Sequence, residues 1–421
     1  MVYILAINPL ILAPAAVGYT FSELFTATAL ASFISCLLMG LYARFPVALA
    51  PGMSLNVFLS YTICQGMGFS YEQGLLIVFI SGAMFLIATV CGMREKMVAA
   101  IPMSLKVAVS AGIGLFIIVI ALFNTGIVVH GTATTLDLGD FTDPGVLLAI
   151  FCILVTICLW YRGKWYDVIL GLVLTWIVGI ILFQMGFVSD VGTLPDISQA
   201  SVVSTPDLGL FGKVFTGFEM FPSSLWAAFI GALVSMFVVD MFDTTGTLLA
   251  VKDAITDDVK DEDSDMSAAM KVDSVASMFG AIAGTSTTTS YLESFTGIKS
   301  GARTGLMAVV VGLLFIVAMF FSGIFSTVTA ACTAGALFLV GMVMMNNIRR
   351  IEWGDSVLCF SSLIIIIMMG LTESITDGIG IGIIFYVIGY LALGRRKEIG
   401  TPMWFLFFIF LAYFVITTAL A

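Results

Sequence analysis

The stretch F-V-V-D-M-F-D-T-T-G-T-L-L-A-V, residues 237–251, places Asp240 and Asp243 inside an apolar run long enough to cross a bilayer. An Asp near the middle of a membrane helix costs about 2.5–3.5 kcal/mol on insertion scales, so the pair costs roughly 5–7 kcal/mol. Roughly a dozen Leu, Val, Ile, Phe and Met neighbours at about −0.3 to −0.6 kcal/mol each return a similar amount. The segment can insert, with nothing to spare for an acid that has no task. Three residues apart on one helix, both carboxylates share a face.

The rest of the 421 residues supports a membrane reading. Hydrophobic residues make up 60% and charged residues 10%, well under the roughly 25% of a soluble domain, and mean hydropathy is +1.12. Met1 leads directly into an apolar run with no basic region ahead of it, so no cleavable signal peptide is expected. The seven cysteines lie in apolar stretches, with no CxxC or Cys/His ligand set, and read as small buried hydrophobes. A single histidine, His130, in a polar connection leaves no material for a His-based metal site or triad. The net charge of −10 is concentrated in V-K-D-A-I-T-D-D-V-K-D-E-D-S-D (251–265), which reads as a hydrated connector. No basic patch suits nucleic acid.

Apolar runs fall at 3–18, 22–42, an irregular 50–66, 72–91, 102–123, 145–161, 166–186, 224–250, 267–283, an irregular 284–298, 303–323, 326–346, 356–371 and 375–393. That is about fourteen crossings. A further apolar run at 403–420 is left open between spanning the bilayer and lying along it. With a cytoplasmic N-terminus, all but Lys213 of the 17 Lys and Arg fall on the cytoplasmic side, a strong positive-inside pattern. The expected fold class is an all-α polytopic membrane protein.

The hydropathy of the second half copies the first. Each half opens on a helix with polar residues at mid-membrane, I-N-P-L-I-L-A-P-A and then V-V-D-M-F-D-T-T-G-T. A full span follows, then an interruption rich in Gly, Pro, Ser and Thr: L-A-P-G-M-S-L-N-V-F (49–58) and I-A-G-T-S-T-T-T-S-Y-L-E-S (282–294). Four spans close each half. Seven is odd, so the halves are expected as inverted repeats, whose matching broken segments point to a carrier's binding site. Irregular backbone at membrane depth must face protein or a water-filled cavity. The two interruptions are therefore expected to face each other, each as a short extended segment followed by a half-helix whose N–H groups aim at the site.

Glu293 closes the second interruption and reads either as a capping glutamate or as a carboxylate facing Asp240 across a small cavity. Two carboxylates in a dry site do not both ionise cheaply, so one is expected to hold a proton. Asn56 offers a donor pair and an acceptor beside the same cavity, or caps a helix. Thr285 and Ser286 are expected to support the site. Asp240 and Asp243 have a structural alternative too, bonding the broken backbone or the bend at Thr244–Thr245. Glu373 and Asp377 read as junction or gating residues, and Glu23, Glu72 and Glu95 as interface charges. Sparse polar groups of this kind suit a small, largely uncharged ligand with several N–H donors, such as a heteroaromatic base. With no arginine at membrane depth, an anionic substrate is disfavoured.

P-G-M-S-L-N-V-F, S-G-A-M-F-L-I-A-T-V-C-G-M-R-E-K-M-V-A-A-I-P-M-S-L-K-V-A-V-S-A-G-I-G-L-F (81–116), D-M-F-D-T-T-G-T-L, G-T-S-T-T-T-S-Y-L-E-S-F-T-G-I-K-S-G-A-R-T-G-L and L-T-E-S-I-T-D-G-I-G-I-G closely resemble the AzgA-like purine permeases, a branch of the nucleobase–cation symporter 2 superfamily. The resemblance implies fourteen helices in two inverted seven-helix repeats, a core domain moving against a gate domain, often in a homodimer, and proton-coupled uptake of adenine, guanine or hypoxanthine. Domain boundaries on that basis are core at 1–101 and 224–325, gate at 102–190 and 326–394, a connection at 191–223, and a basic turn with an extra apolar segment at 395–421. The resemblance also assigns substrate recognition to Asn56, Asp240 and Glu293, and coupling or packing to Asp243. The expected partners are a purine base, the lipid bilayer and a second copy of the chain; no cofactor is expected, and the coupling ion is H+. Two departures stand out. The chain starts inside the first span, which implies a truncated start or a short first helix. Ser54 stands where the family commonly has Gly, filling space or trimming the substrate range.

A same-fold carrier of xanthine, uric acid or uracil is the alternative function. An intramembrane aspartyl protease is the remote one, and it needs its two aspartates on different helices.

Overall fold

The computed structural model describes residues 1–92, 101–131, 136–163, 167–187, 194–197, 201–218, 226, 228–240, 266–291, 294–299, 301–372 and 374–420. Asp243, Glu293, Glu373, Glu95 and the acidic run 251–265 lie outside the described residues.

Among the described residues, seven helices are long and apolar enough to cross a membrane. They are α2 (Phe21–Leu41), α4 (Tyr71–Val90), α5 (Met103–Asn124), α6 (Pro144–Tyr161), the stretch opened by α11 (Leu306–Ala318) and closed by α12 (Ser322–Phe325), the stretch opened by α13 (Ala330–Met345), and α15 (Ile375–Ala392). Further apolar helices are α7 (Asp167–Gln184), α8 (Ala228–Asp240), α14 (Ser356–Thr372) and α16 (Thr401–Leu420). α1 (Ile4–Leu12), α9 (Met266–Ala283) and the two broken segments occupy the remaining positions expected from hydropathy. The chain is a mostly helical, multi-pass membrane protein with a small strand content.

The first helix stops at Leu12, short of the expected 3–18. Pro9 lies inside it, and Pro14 and Gly18, the latter at φ +92°, follow; these residues break a ladder that apolarity alone would continue. The N-terminal ends of α2 and α4 are locally encoded. Thr20 and Glu23 form a capping box on α2, and Ser70 and Gln73 form one on α4. Glu23, read as an interface charge, is thus a cap, and Glu72 accepts a hydrogen bond from Tyr19 Oη at 2.6 Å.

The first broken segment is β1 (Leu49–Pro51), α3 (Met53–Val57) and a nine-residue π-helix, Phe58–Gly66. The second is β4 (Thr288–Ser290) followed by α10 (Ser294–Lys299). β1 and β4 pair antiparallel in the register Leu49↔Ser290, Ala50↔Thr289 and Pro51↔Thr288. A second small ladder, β2 (Val128–His130) with β3 (Leu136–Leu138), was not anticipated in the polar connection after α5. There the His130 ring stacks on Phe123 at 4.8 Å.

Helix packing repeats between the halves. α2 packs on α11 as α9 packs on α4; α6 packs on α13 as α14 packs on α5; α6 packs on α7 as α14 packs on α15. α2 with α9, α5 with α13 and β1 with β4 form pairs that map onto themselves when the halves are exchanged. At the α5–α13 crossing, a Cβ on Gly114 would lie 2.6 Å from Gly341 O, and one on Gly341 would lie 2.6 Å from Gly114 O. Without a hydrophobic force between helices in lipid, such small-residue contacts supply the packing.

α16 packs against α15. The rings of Phe410 and Phe414 cover Gly380 on α15, and Tyr413 covers Gly231 on α8. At the turn before it, Arg395 bonds Asp355 at 2.8 Å and Glu398, and the guanidinium holds both carboxyls below their usual range.

Gly114→Leu is expected to force α5 and α13 apart at a cost of about 1–3 kcal/mol. Thermal unfolding of detergent-purified protein checks it: the variant should melt several degrees below the parent, and an unchanged melting temperature would contradict the close crossing.

Candidate functional site

The site is built where the two interruptions cross. A chain that leaves helical geometry inside a bilayer must pair its backbone elsewhere. Here each interruption supplies the other's partners. Gly52 N donates to Thr287 O at 3.0 Å, and Tyr291 N donates to Ala48 O at 3.1 Å, which extends the ladder beyond both ends. Ser294 Oγ accepts from Ala48 N at 3.1 Å, and Tyr291 Oη donates to Pro51 O at 2.5 Å. Leu49–Pro51 and Thr288–Ser290 are buried throughout.

Two glycines make the approach possible. A Cβ on Gly52 would lie 2.8 Å from Thr289 Oγ1, so a larger residue would push the strands apart. Gly284, at φ +98°, ends α9, and Thr285 N returns to Gly280 O at 2.9 Å. That is the left-handed termination glycine favours. A Cβ on Gly284 would also strike Leu210, 2.5 Å away in the connection that lies over this end of α9.

The side chains then converge. Asn56 is fully buried on α3, and its Oδ1 accepts a short hydrogen bond from Ser286 Oγ. Its Nδ2 has no partner among the described residues, so a buried donor pair is left over there. An unsatisfied buried amide costs about 1–3 kcal/mol. Thr285 Oγ1 accepts from Asn8 Nδ2 at 2.9 Å, and the same nitrogen donates to Thr28 Oγ1 at 2.7 Å. Helix α1 is thereby fixed to the second interruption.

Asp240, 1% exposed, stands behind β4 at the end of the described part of α8. Ser277 Oγ lies 3.5 Å from Asp240 Oδ2, 3.3 Å from Thr288 O and 3.1 Å from Asp273 O. One hydroxyl proton serves one of these acceptors at a time, so Ser277 links the acid to the strand in several arrangements. One turn earlier on α8, Met236 Sδ accepts from Thr287 Oγ1 at 3.9 Å.

The structure thus gathers Asn56, Thr285 and Ser286 around the strand crossing and places Asp240 one hydroxyl away from it. Asp243 and Glu293 lie outside the described residues. Sequence reasoning missed Asn8 and Asp273. Asp273 is fully buried on α9, with Oδ1 3.4 Å from Ser290 Oγ. The signal for Asp273 was present: an acid within the apolar run 267–283, four residues before Ser277. Asn8 sat in a helix noted for mid-membrane polarity but was not assigned a role.

A crevice separates two packing groups, one built on α2, α4, α9 and α11 and the other on α5–α7 and α13–α15. A cavity of about 200 Å³ opens in it, lined by α1, the π-helix, α5 and α13. Elsewhere in the crevice, Val238 packs against Leu105, Val109, Ile365, Ile379 and Ile383 around a void of only about 10 Å³.

The family and the relatives that this chain matches are named permeases, which makes it a polytopic carrier rather than an enzyme. The fold is that of the transmembrane domain of the cyanobacterial bicarbonate transporter BicA, which superposes with a TM-score of 0.64 at 15% identity, covering 89% of this chain and 94% of that one. A sequence model described as "Permease family" (Xan_ur_permease) matches residues 1–381, and the chain belongs to that family. It is 39% identical over 423 residues to the guanine/hypoxanthine permease PbuG of Bacillus subtilis, covering 99% of this chain and 93% of the relative. It is also 34% identical over 404 residues to the adenine permease AdeP of Escherichia coli, covering 95% and 86%.

Asn56→Asp keeps an oxygen for Ser286 but replaces the leftover donor with an acceptor. The substituted protein is expected to reach the membrane in normal amount and to lose ligand affinity by about ten- to a hundredfold. Isothermal titration of purified protein with hypoxanthine measures it, and parental affinity would remove Asn56 from the site.

Proposed function

We propose that the protein imports purine nucleobases, adenine, guanine and/or hypoxanthine, by proton symport. The observation that carries this reading is the buried crossing of the two interruptions, with Asn56 holding an unspent donor pair and Asp240 within one hydroxyl of the strand. The permease names of the relatives, guanine/hypoxanthine and adenine, supply the substrate class. In this reading Asn56, Asp240 and Glu293 contact the base. Asp243, Glu293 and Asp240 handle the proton or support the site, with Thr285 and Ser286 as struts.

The chemistry fits an uncharged ring. A carboxylate accepts two N–H groups side by side, and an amide N–H reads a ring nitrogen. Acids brought close together in a dry chamber share protons, and a base leaving inward takes one with it. The two packing groups correspond to a core at 1–101 and 224–325 and a gate at 102–190 and 326–394. They are related as inverted repeats and rock about the strand crossing. The protein sits in the cell or inner membrane with its N-terminus in the cytoplasm, and two copies associate. Residues 191–223 form the outer connection, and 395–421 the basic turn and extra helix.

Radiolabelled hypoxanthine, guanine and adenine uptake into cells lacking purine carriers tests this. Uptake of at least one that collapses with a protonophore is expected. Background uptake of all three, with the protein in the membrane, would refute it. Glu293→Gln should abolish uptake at normal expression. Competition by unlabelled xanthine, uric acid and uracil decides the same-fold alternative: strong inhibition by these, and weak inhibition by the purines above, would favour it.

A further inference from the structure

We infer that the cavity between α1, the π-helix, α5 and α13 is a second binding site, an outer vestibule for a planar heteroaromatic base, read by Tyr61 and Asn124. The inference rests on the proposed function, because the ligand class comes from it. Three observations carry it.

The first is size and wall chemistry. A volume of about 200 Å³ falls below the roughly 300–1,000 Å³ of ordinary drug-sized pockets. It fits a bare bicyclic ring more closely than a nucleoside. Ile7, Ile11 and Pro14 form one apolar wall, and Ala334 and Leu337 form the other. A flat ring slides between walls of this kind.

The second is the polar pair at its rim. Asn124 Nδ2 donates to Tyr61 Oη at 2.6 Å. Tyr61 belongs to the π-helix that continues β1 and α3, and Asn124 is the last residue of α5, so this bond crosses the crevice between the two packing groups. An amide has an acceptor oxygen and a second N–H besides the one used here. A base edge that alternates N–H donors and ring acceptors competes for the same groups. Occupancy therefore exchanges a bond that ties the groups together for bonds to the ligand, and loosens the crevice as the base arrives.

The third is position. Ile7 lines the cavity while its neighbour Asn8 is bonded to Thr285 of the inner site. The two sites share α1 as a common wall. Tyr61 sits in a π-helix, a geometry that recurs at functional sites because it widens the turn and redirects side chains. At Val238 the crevice is closed by branched apolar side chains, whereas the vestibule is open.

The test is initial-rate uptake of labelled hypoxanthine by wild type, Tyr61→Phe, Asn124→Ala and the cavity-filling Ala330→Phe, each normalised to protein in the membrane. Wild-type uptake is read first; its absence refutes the proposed function and not the vestibule's geometry. Given wild-type uptake, Tyr61→Phe and Asn124→Ala should each raise KM about tenfold while the maximal rate stays within about twofold. Ala330→Phe should raise KM at least as much. Inosine should compete weakly beside hypoxanthine. Unchanged KM in both polar variants, an effect confined to the maximal rate, or inosine competing as well as hypoxanthine would each overturn the inference. The rate-only result would leave the Tyr61–Asn124 bond a mechanical latch that touches no ligand.

Discussion

Two short strands, three residues each, bond to one another in the interior of a membrane protein, and the rest of the molecule is arranged to let them. Backbone N–H and C=O groups at membrane depth have no water to turn to. Neither interruption can satisfy itself, because each abandons the helix that would pair it. The antiparallel register Leu49↔Ser290 to Pro51↔Thr288 resolves both deficits at once. It also fixes what stands nearby. Thr285 and Ser286 precede β4 and Asn56 follows β1 by a turn, so pairing the strands delivers the Ser286–Asn56 contact without further instruction. Ser277 then ties Asp240 on α8 to the same strand.

The constraint also divides the molecule. The strands and their companions α2, α4, α9 and α11 form one unit, knitted by backbone pairing and by side chains that cross between elements, such as Tyr71 Oη to Gly284 O at 2.8 Å and Ser35 Oγ with Thr288 Oγ1 at 3.2 Å. The facing unit, α5–α7 with α13–α15, is held by close helix crossings such as Gly114 against Gly341. Described contacts between the units are sparser and involve α1 with α13, α3 with α5, and the π-helix with α15. A unit that carries the site and a second unit joined to it by fewer contacts are what relative motion requires. Packed interfaces switch between discrete arrangements rather than deforming continuously.

Much of this was legible in the sequence because hydropathy and breakers act locally. The run T-S-T-T-T-S-Y is β-branched and poor in helix formers, and no membrane helix tolerates it well, so an extended segment there follows from propensity and from the need for a partner. The matching L-A-P-G-M in the first half names that partner. Asn56, Asp240, Thr285 and Ser286 stood out because polar groups in apolar runs are costly. What was not legible depends on packing. The early stop of α1 at Leu12 is the exception, since Pro14 and Gly18 are local breakers visible in the sequence that hydropathy alone overrides. Asn8 reaching Thr285, 277 residues away, and Asp273 meeting Ser290 require knowing which helix lies behind the strand. The Tyr61–Asn124 bond joins residues that look ordinary in their own segments and acquires meaning only across the crevice. The path of α16, over Gly231 and Gly380, was left open because an apolar run has no preference between a lipid surface and a protein groove until small residues on other helices supply one.

The account stands on the pairing of the two interruptions, and the direct measurement is a cysteine cross-link between its opposed residues. Ala50 and Thr289 face each other in the ladder, within the Cα separation of about 4.4–6.8 Å that a disulfide bridges. Mild oxidation of the Ala50→Cys/Thr289→Cys protein in membranes, followed by proteolysis and mass spectrometry, should yield one linked peptide joining the two halves, with neither single variant giving it. If the two peptides stay separate under conditions that oxidise exposed thiols fully, the strands are not opposed, and the site built on them does not exist in this form.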